Sequence, residues 1–106
     1  NRKDAGKANP MIIVMNRITV AEGREEDFET TFAERDRAVD QMHGFVDMHV
    51  LRPTEGRTYV VMTRWISREA FEQWTQSETF LAAHRKQSPG LAAGRPTLEI
   101  YEVLSQ

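Results

Sequence analysis

"FVDMHVLRPTEGRTYVVMTRWI", residues 45–66, decides the fold. Its two ends, FVDMHVLR (45–52) and RTYVVMTRWI (57–66), are rich in β-branched and aromatic residues, and PTEG (53–56) between them is turn chemistry. Two strands joined this closely form an antiparallel hairpin. Upstream, REEDFETTFAERDRAVDQM (24–42) repeats Phe28, Phe32, Val39 and Met42 at helical spacing. Its acids Glu25, Glu26, Asp27 and Glu29 cluster at the start, where they complement the helix dipole, and Gly44 marks its stop. MIIVMNRITV (11–20) reads as a strand before it. Downstream, Ser67 is placed to cap the helix opening REAFEQW, and TLEIYEVL (97–104) is a last strand. The order is β-α-β-β-α-β, the ferredoxin-like split arrangement, an α+β fold with an antiparallel sheet. Helices on one face leave the other uncovered. In a chain of 106 residues a second copy is the expected cover, so a homodimer is predicted.

The composition narrows the function classes. Hydrophobic content of 40% with 28% charged residues describes an ordinary soluble globular domain. A net charge of −2 and the lack of a basic tract predict no nucleic-acid partner. Apolar runs of about five residues fall far short of the roughly 20 that span a bilayer, which predicts no membrane partner. The chain has no cysteine, which excludes disulfides, thiolate nucleophiles, zinc–thiolate sites and cysteine-ligated heme. A reducing cytoplasm is the expected location, with a targeting segment removed ahead of Asn1 left open. Residues 1–10, NRKDAGKANP, are polar and read as a tail, linker or expression remnant, with the domain spanning 11–106.

Several residues break the pattern. Alternation places Ile12, Val14, Asn16, Ile18 and Val20 on one face of the first strand, so a primary amide stands in an apolar row. Burying it without partners costs about 1–3 kcal/mol. Either a backbone group satisfies Asn16, or the amide is a donor aimed into a cavity. Arg35 interrupts the Phe28–Phe32–Val39–Met42 seam and either snorkels to water or pairs with an anionic ligand group. In FEQWTQSETFLAAHRK (71–86), Trp74 and His84 would lie ~15 Å apart on an unbroken helix, and Ser77 is a plausible cap for a second segment after a kink. Trp74 and His84 are either packing residues or the brackets of a large flat ligand. His43 and His49 have no companion legible in the sequence. No nucleophile–base–acid set, phosphate loop or HExxH motif is present.

MNRITV (15–20), HGFVDMHVLRP (43–53), YVVMTRWISREAFEQW (59–74) and AAH (82–84) together resemble the antibiotic-biosynthesis-monooxygenase (ABM) superfamily, and within it the IsdG-type heme-degrading monooxygenases. The resemblance spans about residues 11–104. It rests on Asn16, Trp74 and His84, whereas the Gly-Phe after helix one and the Trp65-to-Trp74 run belong to the superfamily at large. It implies a dimeric α+β barrel with one site per subunit, and heme as both cofactor and substrate, opened to a bilin with O2 and an external electron donor from a reductase. Under this resemblance His84 is the axial iron ligand and Asn16 donates to the oxygen on the distal side. Trp74 distorts the porphyrin, Phe32 lines the pocket and Arg35 lies near a propionate. The loop KQSPGLAAGRP (86–96) suits either a mobile segment beside the pocket or a plain connection.

Three other readings share these residues. A cofactor-independent ABM monooxygenase on a quinone-forming aromatic would keep the fold and Asn16 but has no use for His84. A non-enzymatic heme-binding protein leaves Asn16 and Trp74 without a task, and a dimeric scaffold makes all three packing residues.

Overall fold

The computed structural model describes residues 10–35, 37–85 and 90–105, with the side chains of 83–85 outside that description. Four strands, β1 (Ile12–Thr19), β2 (Phe45–Leu51), β3 (Thr58–Trp65) and β4 (Thr97–Glu102), form one antiparallel sheet in the order β2-β3-β1-β4. Helices α1 (Glu25–Ala33), α2 (Arg68–Thr75) and α3 (Glu78–Arg85), with a 3-10 turn at Ala38–Gln41, complete the chain. This is the ferredoxin-like α+β architecture, and each predicted strand falls where its β-branched residues put it.

The apolar row of β1 is buried as its alternation requires: Ile12, Val14, Ile18 and Val20 are each under a tenth exposed. The register pairs Ile12 with Trp65, Val14 with Thr63 and Ile18 with Tyr59, so β3 supplies Tyr59, Val61, Thr63 and Trp65 to the same helix-covered face. Gly44 makes the close approach that seats α2. Its φ is +85°, and a Cβ there would overlap the Ala70 side chain and press on Ile66. Its carbonyl accepts from the Ile66 amide at 2.9 Å.

The long first helix is a correction. The regular helix stops at Ala33, Arg35 lies in the turn that follows, and the 3-10 turn carries Val39. A continuous helix over 24–42 would be a rod ~28 Å long holding Phe28 and Val39 on one line. Those two side chains instead enter different apolar clusters, and the charged run around Arg35 and Arg37 spans the bend between them. By contrast, the kink in 71–86 is present. Ser77 Oγ donates to the Trp74 carbonyl at 2.7 Å and accepts from the Phe80 amide at 3.0 Å, closing α2 and capping α3. Ser67 caps α2 through the Ala70 amide at 3.1 Å.

The helix-free face presents Ile13, Met15, Val60 and Met62, bordered by ion pairs Arg17–Glu99 at 3.0 Å and Arg64–Asp47. His49 has a companion after all, the Asp47 carboxylate at 3.6 Å. The described part of the 86–96 loop is a connection hydrogen-bonded to the end of β1, through Ala21 N to Leu91 O at 2.8 Å and Ala93 N to Thr19 O at 2.7 Å. Residues 86–89 of it, and residues 1–9 of the proposed tail, lie outside the described residues.

Candidate functional site

The helix-covered face of the sheet carries two apolar clusters rather than one core. The first gathers Ile12, Val14, Val39, Trp65, Ala70 and Phe71, with Met42, Phe45, Met48, Trp74 and Ile100 packed against it. The second gathers Ile18, Val20, Phe28 and Tyr59, with Phe32, Val61 and Leu91. Asn16 is the residue of β1 between them. Its cross-strand partners are Leu98 on β4 and Val61 on β3, and Val61 in turn faces Val50 on β2. Directly opposed residues share a face, so Leu98, Asn16, Val61 and Val50 form one row across the sheet.

That row is incompletely covered. Leu98 is 55% exposed and Val50 37%, although both lie on the face where the helices pack. The row thus forms a partly uncovered strip between the cluster under α1 and the cluster under α2 and the 3-10 turn. The floor of the strip is apolar except for the Asn16 carboxamide, which is half-buried and makes no hydrogen bond among the described residues. No backbone group among the described residues satisfies the Asn16 carboxamide.

The bend at Ser77 arranges one wall. It sets the Trp74 ring edge-on to Phe80, centroids 5.4 Å apart at 88°, while Trp74 also rests on the first cluster. His84 stands one turn beyond Phe80 on α3 by backbone position, and its side chain lies outside the described residues. Phe32 forms part of the opposite wall, 4.8 Å from Phe28 between ring centroids. Arg35 does not snorkel freely. Its side chain is 17% exposed and its Nη1, buried and without a hydrogen-bond acceptor among the described residues, lies 3.7 Å from Asp40 Oδ1, an equally unpaired atom. Asn16, Trp74 and Phe32 thus border one strip or the clusters flanking it, and Arg35 occupies the bend beyond α1.

Sequence reasoning missed a polar cluster at the β2 end of the strip. Glu29 accepts from Arg52 Nε at 2.9 Å, from Arg52 Nη2 at 2.7 Å and from the Tyr59 hydroxyl. These donors, Arg52 first, lower its pKa to about 2. By sequence alone Glu29 is one more acid for the helix dipole. Nothing in the local sequence ties it to residues 52 and 59, which only the sheet brings near. Among the described residues no group of three or more His, Cys, Asp or Glu side chains could hold a metal ion. No helix among them is long and apolar enough to cross a membrane.

A sequence model of the family described as "Antibiotic biosynthesis monooxygenase" matches residues 11–86. The chain is 34% identical over 94 residues to a mycobilin-producing heme oxygenase of Mycobacterium tuberculosis, covering 88% of this chain and 90% of that one. It is 32% identical over 73 residues to the staphylobilin-producing heme oxygenase 1 of Staphylococcus aureus, covering 66% and 67%. Among solved structures, the heme-degrader MhuD of Mycobacterium tuberculosis, with two hemes bound in its active site, superposes with a TM-score of 0.78 at 32% identity, covering 90% of this chain and 97% of that one.

Proposed function

This chain belongs to the antibiotic biosynthesis monooxygenase family, and we propose that it is one of the family's heme-degrading members, taking heme as cofactor and substrate together and opening the porphyrin to a bilin-type product with release of iron. Relatives named as heme oxygenases over most of its length support the reading. The observation that carries it is the strip around Asn16. The row Leu98–Asn16–Val61–Val50 is left partly exposed on the helix-covered face, and its one polar side chain makes no hydrogen bond among the described residues. A planar, mostly apolar ligand with one polar reacting centre fits that description.

The heme, when bound, supplies the iron that activates O2 and the ring carbon that is oxidised; an external reductase supplies the electrons. His84, on α3, would be the residue that holds the iron, through a neutral imidazole nitrogen. The Asn16 carboxamide would offer an N–H donor toward the reacting centre of the bound ligand, where an oriented dipole stabilises developing charge. Trp74, held by its contact with Phe80 and by the Ser77 bend, would pack against the porphyrin and set its shape. Phe32 forms the opposite wall and Arg35 offers a charge to a propionate. The working domain is residues 11–106, preceded by the polar tail 1–10. It acts as a homodimer in the cytoplasm, joined through the helix-free face that carries Ile13, Met15, Val60 and Met62.

An absorption titration with hemin, followed by ascorbate or a reductase under air, tests the reading. A saturable Soret band that bleaches while bilin absorbance grows is the expected result. A Soret band that persists through several electron donors would make the protein a heme carrier. No specific binding would turn the search toward aromatic substrates. His84→Ala is expected to abolish turnover and displace the axial ligand. Unchanged spectra and rates in that variant would remove His84 from its role.

A further inference from the structure

The polar cluster at the β2 end of the strip has no task in the function above. A cavity of about 340 Å³ is lined by Glu29, Phe32, Ala33, Val50, Arg52 and Tyr59. Val50 belongs both to this cavity and to the row of Asn16, so the cavity continues the strip. Arg52 stands at its rim just past the end of β2.

The hydrogen-bond inventory of the cluster is lopsided. Glu29 accepts three donors on its two oxygens, most of its capacity. Arg52 is less fully engaged. A guanidinium carries five N–H donors in a planar fork. Glu29 engages Nε and one Nη2 proton along one edge, which leaves the outer edge open on a side chain that is 71% exposed. Tyr59 and Arg52 grip the same carboxylate, so Glu29 fixes the plane of the fork without covering it. The remaining capacity at the rim is mainly donor capacity, planar and oriented, which is the recognition chemistry of a second carboxylate.

Other arginines are less available to the strip. Arg17 and Arg64 pair with acids on the helix-free face. Arg24 pairs with Asp27, Arg57 donates to the Val20 carbonyl, and Arg35 is largely enclosed beside Asp40. We propose that Arg52, oriented by Glu29, receives a carboxylate of the ligand seated in the strip. The assignment rests on the heme reading for the ligand, whose only acid groups are its propionates.

Hemin and its dimethyl ester, which lacks the acid groups, separate the possibilities. Affinities for both are measured by absorption titration for the wild type, for Arg52→Gln, and for Arg68→Gln, which removes the same charge from an exposed α2 ion pair. Arg52→Gln is expected to weaken hemin about fivefold, the size of a well-oriented exposed ion pair, while leaving the ester unchanged; Arg68→Gln is expected to change neither. If Arg52→Gln leaves hemin untouched or weakens both ligands alike, Arg52 only latches α1 to the sheet and the assignment falls. A wild type that binds neither ligand overturns the heme reading, and this assignment with it.

Discussion

The two clusters on the helix-covered face are built by different means. The first is an aromatic lattice. Trp65 is fully buried, meets Phe45 edge-on at 5.4 Å and Phe71 at 5.8 Å between centroids, and donates its indole N–H to Thr63 Oγ1 at 3.0 Å. Gly44 lets the chain come within contact of Ala70, so α2 lies close on the sheet. The second cluster holds α1 by two means: the Phe28 ring, 4.7 Å from Tyr59, and the Glu29 carboxylate clasped by Arg52 and Tyr59. The first region is held mainly by aromatic packing and the second partly by charge. The strip at Asn16 lies between these two differently built walls.

The largest effect expected from that contrast is on the aromatic wall. Trp65→Ala should cost about 3–5 kcal/mol in a denaturant titration, because it deletes the most buried ring and leaves a cavity that its neighbours cannot fill. A loss below 1 kcal/mol would mean that the first cluster is not the stability centre. Next comes the boundary. Asn16→Leu is expected to raise stability by about 1 kcal/mol, since it replaces a half-buried amide lacking a hydrogen bond with apolar floor, and to lose most heme turnover. A destabilised variant would show instead that the amide serves the fold, and full turnover would remove Asn16 from the reaction.

The smallest effect is on the partly charged wall and depends on pH. The Glu29 carboxyl titrates near 2 in the folded chain against an ordinary 4.5. The depressed pKa means that the unfolded chain binds the proton first as pH falls. Its stabilising contribution is therefore full above about pH 5 and disappears progressively down to about pH 2. Glu29→Gln should lower stability modestly at neutral pH and flatten the acid limb between pH 5 and 2. In the same variant, amide exchange should quicken on α1 and stay unchanged on α2 and β3. Acid limbs that superpose for the two proteins would mean that Glu29 holds nothing.

Much of this was legible in the sequence because it is local. Strand periodicity, the PTEG turn, the caps at Ser67 and Ser77, and the intrusion of Asn16 into an apolar row all depend on residues a few positions apart, where sterics and hydrogen bonding act within one element. The helix over 24–42 was misread for the complementary reason. Phe28, Phe32, Val39 and Met42 keep helical spacing, but spacing does not reveal that the first two and the last two pack into separate clusters, and packing overrules propensity when the two disagree. The sequence by itself determined the order of the strands and helices, the face of β1 that is buried, and the odd amide on it, because alternation and capping are properties of neighbours in the chain. Only the tertiary structure decided that the core divides at Asn16, that Arg35 turns toward Asp40, and that Glu29, Arg52 and Tyr59 meet at the end of the strip. The Glu29 contacts join residues more than twenty positions apart, and the Arg35–Asp40 approach depends on the bend after α1, so their energies exist only once the sheet and the helix layer have formed.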